Sequence, residues 1–387
     1  MIAVLVVASI LCPLLAFWLM INAGIAPALP NGHRVGAIDG LRGYLALLVV
    51  VHHFAVWQGF IATGDWSEPE NTFLANAGSG GVALFFMVSG ALFYSILDRQ
   101  SGSVRWMPLY LSRVFRIVPL MWTAVLALVI IGVMRGGELT VSDIVPITRW
   151  MSFLGMPTVM GGKMMSKDIA GVLWTLRIEW LFYFSLPAVA VFHKVVKARN
   201  TRLVILAVIT SVLMTVCGLN IGPRAPMFFA LGSLAIEVTK SSAWSAALLS
   251  VTATGVSLAC AAIAFLMVPG IYSPVGGGLL FIVFLTIVAG NDHFGALSTG
   301  FSRMLGEVSY GIYLLHGIVL TLVFQDLAAA RIPLPERWLL LPLISLAVSL
   351  IATLSLVVIE RPLIRSGKRL ALRIARKSPE PKTIIAA

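Results

Sequence analysis

Hydrophobic residues run along this chain in long blocks that short polar connections separate. Eleven blocks stand out, at 2–22, 40–61, 78–97, 117–134, 171–192, 203–219, 225–239, 245–268, 276–290, 304–325 and 339–360. Several exceed the roughly 18 residues that distinguish a membrane-crossing helix from a buried helix of a soluble protein. They are also too long for the ~10-residue strands of outer-membrane barrels. The pattern predicts an all-α fold, a polytopic transmembrane helical bundle of about ten core helices plus one extra N-terminal hydrophobic helix.

Composition supports lipid as the solvent of this fold. Hydrophobic residues make up 59% of the 387 positions and charged residues only 11%, whereas soluble domains carry roughly 25% charged residues. A soluble chain this apolar could not cover its own surface. We therefore divide the chain into an extra helix and linker at 1–33, a transmembrane domain at 34–365 and a basic tail at 366–387.

The positions of the charges predict an orientation. The net charge of +12 comes from Lys and Arg concentrated in the connections 98–116 and 193–202 and in the tail. Alternating spans place these three segments on one side, and the connection 62–72, which holds acidic residues without Lys or Arg, on the other. The positive-inside rule makes the basic side, and with it the C-terminus, cytoplasmic. The same placement argues against nucleic acid as a partner.

Cysteine and histidine do not indicate a metal site. Cys12, Cys217 and Cys260 lie in apolar blocks without the spacing of a disulfide framework or a metal centre. Apart from the adjacent His52 and His53, the six histidines are dispersed along the chain. We expect no bound metal.

The block 2–22 admits three interpretations. It could be a secretory signal, although it lacks the positively charged start that such signals carry. It could also be an interfacial or re-entrant segment. We favour an uncleaved helix with Met1 outside, because the orientation above places residues 30–39 on the cytoplasmic side.

Arg42 and His53 are the first candidates for chemistry, since ionisable residues inside spans are costly and often functional. They are 11 residues apart, which on an α-helix is three turns plus about 20° and roughly 16 Å along the axis. They therefore share one face. A guanidinium at the mouth and an imidazole at depth suit an anionic substrate with a long arm. The structural alternative is a histidine bonded to a neighbouring helix and an arginine bonded to lipid phosphate.

Three further charged residues are candidates with similar alternatives. Arg113 and Arg116, at i and i+3, share a helix face and can bind phosphate bidentately, or can be ordinary cytoplasmic anchors. Glu179 could orient an acceptor hydroxyl or an imidazole. It could equally form a snorkelling interfacial pair with Arg177 between tryptophans.

The block 304–325 places polar groups inside a span, and other motifs have structural interpretations. Tyr310, Tyr313 and His316 either contact a substrate or hydrogen-bond neighbouring helices.

Glu360 is expected to pair with a cytoplasmic arginine. The glycine-rich turn 78–81 and the glycine at position 90 are expected to allow close helix approach.

Four segments together resemble the acyltransferase 3 family, whose members O-acetylate lipopolysaccharide O-antigens, exopolysaccharides and Nod factors. The match is carried by 38–54, 81–93 (GVALFFMVSGALF), 113–119 with 173–183 (LWTLRIEWLFY), and 305–316 (LGEVSYGIYLLH). It covers roughly 35–365, and the four segments have the order and spacing of the family's motifs. Two departures are the extra block 2–22 and the lack of a soluble esterase-like domain after the last span.

The resemblance implies a membrane O-acyltransferase of the bacterial inner (plasma) membrane. It implies acetyl-CoA, or another acyl-CoA, as a cytoplasmic co-substrate without a permanently bound cofactor, and a glycan or lipid-linked glycan as the acceptor. The family's Arg-x10-His motif falls on Arg42 and His53, and its Arg-x-x-Arg motif on Arg113 and Arg116. Glu179 joins His53 as a candidate catalytic residue, and Tyr310 and His316 are the candidate substrate-binding residues.

The expected chemistry has two forms, and another function class remains open. His53 either acts as general base on a glycan hydroxyl or is acylated itself. The alternative function is a secondary transporter of a small anionic solute, which would also bury ionisable residues. The sequence does not determine the glycan, the acyl group or the oligomeric state.

Overall fold

A computed structural model describes residues 1–29, 36–101, 104–218, 224–327 and 329–377, with side chains omitted at 217, 218 and 375–377. Several predicted features lie outside this part. They are the domain boundary at 33/34, most of the segment 30–39 that is expected on the cytoplasmic side, the side chain of Cys217, and residues 378–387 of the tail.

The described chain is almost entirely helical, and its only β pairing is an isolated bridge between Val159 and Met164. The sixteen α-helices in this part are α1 Ile2–Asn22, α2 Gly36–Thr63, α3 Thr72–Arg99, α4 Trp106–Met134, α5 Ile144–Met151, α6 Leu173–Val195, α7 Arg199–Gly218, α8 Ala225–Thr239, α9 Ser242–Leu248, α10 Val251–Leu266, α11 Pro274–Val288, α12 Gly300–Glu307, α13 Ser309–Thr321, α14 Leu334–Arg337, α15 Leu340–Ser355 and α16 Arg361–Lys377.

The helices confirm an all-α, multi-pass membrane protein. Within the described residues, seven helical segments are long and apolar enough to cross a membrane, or nine if two bent pairs each count as one span. The bent pairs are α9 with α10, at 69°, and α12 with α13, at 62°. Two shorter apolar helices, α8 and α11, account for the remaining hydrophobic blocks, so each of the eleven blocks is helical.

One local prediction needs correction. The expected glycine-rich turn at 78–81 lies inside α3, which begins at Thr72, because the side chain of Asn71 caps the helix by accepting from the backbone N–H of Leu74. At the other end of the chain, residues 365 and 366, between which the tail is expected to begin, both belong to α16. A π-helical turn, Leu356–Glu360, joins α15 to α16, so the last span continues as a basic helix.

Glycines allow the central helix α3 to lie against its neighbours at backbone contact distance. A Cβ added at Gly90 would lie 2.2 Å from the carbonyl oxygen of Phe229 in α8. The contact is reciprocal, since a Cβ at Gly232 of α8 would lie 2.1 Å from the Met87 oxygen. The expected role of position 90 in close helix approach is therefore confirmed.

An ionic cluster ties four helix ends together at one end of the bundle. Asp98 of α3 lies 2.8 Å from Lys240, 3.4 Å from Arg202 and 3.6 Å from His193. The fully buried Glu237 accepts from the same Lys240 and Arg202 at 2.7 and 3.0 Å. The ends of α3, α6 and α8 and the start of α7 therefore meet on one side, as alternating spans require.

The α3–α8 contact gives a prediction about stability. Gly90→Ala is expected to lower stability by about 1–3 kcal/mol, because the methyl group forces two backbones apart. The matched control is Gly59→Ala in α2, where an added Cβ meets nothing within 4 Å. It is expected to leave stability unchanged or raised by up to about 1 kcal/mol. Thermal unfolding in detergent measures both variants, and equal melting temperatures would contradict the contact.

Candidate active site

A cavity of about 620 Å³ opens among α2, α3, α4, α6 and α13, and Asp98 and Arg99 at the basic end of α3 also line it. Five of the seven predicted site residues line this cavity: Arg42, Arg113, Arg116, Glu179 and Tyr310. Residues from distant parts of the sequence therefore meet in one place. The remaining two, His53 and His316, lie outside the lining.

The cavity wall combines arginines with acidic, hydroxyl and apolar side chains. Arg113 and Arg116 project from the first half of α4, and Arg42 of α2 lies 3.7 Å from Asp39. The Arg113 guanidinium lies over the Phe93 ring at 5.1 Å, and its buried Nε has no hydrogen-bond partner among the described residues. A buried donor of this kind favours an anionic or strongly accepting ligand.

Glu179 belongs to the cavity wall and not to an interfacial ion pair. It accepts hydrogen bonds from the hydroxyls of Tyr183, one turn further along α6, and of Ser89 on α3, at 3.4 Å for the latter. Arg177 is exposed on another face of α6. Tyr183 also interacts with Arg113. The carboxylate thus connects α3 and α6 to the cationic wall through tyrosine.

His53 and His316 form a direct contact between α2 and α13, with His53 Nδ1 3.1 Å from His316 Nε2. His316 Nδ1 lies 3.1 Å from the carbonyl oxygen of Ile312. His53 Nδ1 lies 3.1 Å from the carbonyl oxygen of Val49 as well. Because a carbonyl only accepts, the neutral His316 carries its proton on Nδ1, and the single proton on His53 Nδ1 is shared between the Val49 oxygen and His316 Nε2. That tautomer leaves the lone pair of His53 on Nε2, the nitrogen that a general base uses.

Tyr313 lies at the inner end of the cavity, next to this pair. Its ring centre is 6.2 Å from that of His316, and its hydroxyl bonds Thr175 at 2.7 Å. Both Tyr313 and Thr175 line the cavity. Of the two residues expected to share one face of α2, Arg42 lines the cavity and His53 lies outside the lining. Tyr313 of α13 lies between the cavity and the histidine pair.

The polar connection between α4 and α6 covers the histidines on the side opposite the cavity. The backbone of Ile169 lies so close to α13 that a Cβ on Gly317 would be 2.3 Å from it, and Ala170 is within hydrogen-bonding reach of His53. Arg135 holds the connection, at 2.6 Å from Asp326 and 3.5 Å from Asp168. Burial raises the pKa of Asp168, and Arg135 opposes that shift.

The sequence does not indicate the contacts of Arg135 with Asp168 and Asp326. The two aspartates lie 33 and 191 positions after Arg135, and the three residues form no motif. Sequence reasoning also did not identify Tyr183 and Thr175 as cavity residues, although both lie in segment 173–183.

The remaining predicted residues have structural partners. Tyr310 lines the cavity, and its hydroxyl donates to the Ile117 carbonyl at 2.6 Å. Glu360 accepts from Ser355 at 3.2 Å, and Arg116 and Arg42 influence it electrostatically without a close ion pair. In the described part, no group of three or more His, Cys, Asp or Glu is arranged to hold a metal ion.

Comparison with known proteins identifies the family. A family model described as an acyltransferase domain matches residues 35–359, which include both the cavity and the histidine pair. The chain belongs to this acyltransferase family. The resemblance drawn from the four sequence segments is thereby confirmed.

Relatives in this acyltransferase family bear names that refer to envelope carbohydrates. The chain is 27% identical to the peptidoglycan O-acetyltransferase OatA of Listeria monocytogenes over 372 residues, which cover 86% of this chain and 56% of that protein. It is 26% identical to the exopolysaccharide production protein ExoZ of Rhizobium meliloti over 309 residues, 75% of this chain and 91% of that protein. The chain thus spans about half the length of OatA. No solved structure matches.

Proposed function

We propose that this chain is a membrane O-acyltransferase, which transfers an acyl group, chiefly acetyl, from acyl-CoA to a hydroxyl of a cell-envelope glycan or lipid-linked glycan. The observation that carries the proposal is a cavity lined by Arg42, Arg113 and Arg116 whose lining residue Tyr313 packs against His316 of the histidine pair. Family membership and the names of the relatives point the same way.

The donor is proposed to enter from the basic side. The phosphates of acyl-CoA pair with the arginines, and the thin, largely apolar arm extends along the cavity toward Tyr313. The Tyr313 side chain must move for the thioester to reach His53. The basic side is taken as cytoplasmic, with the C-terminus on that side of the bacterial inner membrane. The CoA product leaves, so no cofactor stays bound.

His53 is proposed as the general base. Its Nε2 takes the proton of the glycan hydroxyl while the hydroxyl oxygen attacks the thioester carbonyl. Collapse of the tetrahedral intermediate breaks the C–S bond, and the leaving CoA thiolate takes that proton from His53 Nε2, which restores the neutral imidazole. His316 holds the imidazole orientation through its hydrogen bond with His53. In the runner-up mechanism His53 attacks the thioester itself, and a short-lived acyl-imidazole then passes the acyl group to the glycan.

A secondary transporter of a small anionic solute is the second candidate. The 62° break between α12 and α13 lies beside cavity residue Ser309, and transporters place binding sites at broken helices. Incubating membranes with acyl-labelled acetyl-CoA separates the two functions. Label in the glycan supports the enzyme, whereas solute uptake without glycan labelling supports the transporter.

The histidine pair gives the first prediction for this function. His53→Gln is expected to reduce acyl transfer by about 10²–10⁴-fold, because a general base contributes that much. The control is His293→Asn. His293 Nε2 lies 2.8 Å from the Ser257 hydroxyl of α10, and His293 lies outside the cavity lining. That variant is expected to retain transfer, measured as ester-linked acetate in the glycan. Wild-type turnover by a folded His53→Gln variant would end the assignment.

The cationic wall gives the second prediction. Arg113→Gln is expected to raise KM for acyl-CoA about tenfold to a hundredfold, with a smaller effect on kcat, because one charge-assisted contact is lost. Arg105→Gln is the matched control, since Arg105 is exposed at the start of the same helix. Titration of both variants with acyl-CoA measures the effect. If Arg113→Gln and Arg116→Gln both keep wild-type KM values, the phosphate-docking site is wrong.

A further inference from the structure

Three aromatic rings cluster at the end of α2 that is distant from the arginines. Trp57 and Phe60 belong to α2, and Trp66 belongs to the following connection. Trp57 meets the other two edge to face, with ring centres 5.5 and 5.4 Å away, and Phe60 lies 5.8 Å from Trp66. We call these three residues the aromatic cluster.

The aromatic cluster continues the helix face that carries the candidate base. His53, Trp57 and Phe60 stand at i, i+4 and i+7, which places them on one side of α2. Phe60 lies about 10 Å beyond His53 along the helix axis. Arg42 lies on this face in the opposite direction. The face therefore runs from the donor arginines through the imidazole to the aromatic cluster.

One short segment covers the distance between His53 and the aromatic cluster. The Lys167 ammonium lies 4.3 Å above the Phe60 ring. Three residues later, Ala170 reaches His53. Segment 166–170 thus lies along the route by which a hydroxyl from the outer side would approach the lone pair of His53.

The aromatic cluster offers the groups that bind sugars. Phe60 and Trp66 are partly exposed, so Trp66 and the Phe60 face opposite Lys167 can receive the C–H face of a sugar ring. Trp57 is only 2% exposed, and its indole N–H has no hydrogen-bond partner among the described residues. A buried donor without a partner costs free energy, and a sugar hydroxyl oxygen would satisfy it. The Lys167 ammonium above the Phe60 ring adds a further donor.

We infer that the aromatic cluster and Lys167 bind a sugar ring of the acceptor, while a hydroxyl on another ring of the same chain reaches His53. The inference rests on the proposed function. The distance between Phe60 and His53 exceeds one sugar ring, so the acceptor is an oligosaccharide or polymer and not a monosaccharide. Simple anchoring at the membrane interface, which Trp also provides, would give no dependence on glycan length.

The test uses the full-length protein in proteoliposomes with acetyl-CoA. Acceptors are single sugars and longer fragments of the envelope glycan from a strain lacking this gene. Phe60→Leu keeps an apolar side chain but removes the ring. It is expected to raise KM for longer fragments about 3- to 10-fold, the range for loss of one aromatic contact. KM for acetyl-CoA and for single sugars should stay constant, and Phe60→Tyr should restore affinity for longer fragments.

A matched control separates recognition from stability. Phe301→Leu changes a partly buried ring on α12, away from the outer connection, and should alter no KM. An unchanged KM for longer fragments in Phe60→Leu would overturn the site. So would a KM increase that is equal for single sugars and longer fragments. A lower melting temperature without a KM change would identify the cluster as an interface anchor and would also overturn it.

Failure of the proposed function is distinguishable from failure of this site. If the wild-type protein transfers no acyl group to any fragment, the proposed function is wrong. Binding of the longer fragments is then measured by quenching of tryptophan fluorescence. Affinity that falls in Phe60→Leu and returns in Phe60→Tyr supports the sugar site, and equal affinity in all three proteins overturns it.

Discussion

A guanidinium inside a membrane protein needs an anion, a π-face or water, and this constraint governs the arrangement around the cavity. Arg113 lies over Phe93 and interacts with Tyr183, which in turn bonds Glu179. These contacts hold α3, α4 and α6 around one space. The hydrogen bonds of Arg113 remain incomplete, because its buried Nε lacks an acceptor among the described residues. This donor suits the cavity to a phosphate-bearing ligand.

The two substrates of the proposed reaction come from opposite sides of the membrane, and the structure keeps two barriers between those sides. Tyr313 closes the inner end of the cavity, and segment 166–170 covers the histidines from the other side. The His53–His316 contact lies between the two barriers. Such an arrangement can bring a thioester and a hydroxyl together at one imidazole without leaving an open channel through the bilayer. Arg135, bound to Asp168 and Asp326, holds the second barrier in place.

Sequence patterns predicted the helices well because lipid imposes length and apolarity on every span. The expected alignment of Arg42 with His53 on one helix face rests on helical geometry alone. Sequence patterns could not predict contacts between distant segments. His53 and His316 are 263 residues apart, and the position of Tyr313 depends on how α13 packs against α2 and α6. The segment 78–81 is helical and not a turn. Its glycines allow neighbouring groups to approach the helix closely, and the His52 ring lies against Gly78 in this way.

A structure of the protein bound to a non-hydrolysable acyl-CoA analogue would test the central claim most directly. The account predicts phosphate oxygens within hydrogen-bonding distance of Arg113 and Arg116, a displaced Tyr313 side chain, and the acyl carbonyl beside His53. An analogue whose phosphates lie away from these arginines would contradict it. So would an analogue in the cavity whose acyl group remains separated from His53 by an unmoved Tyr313.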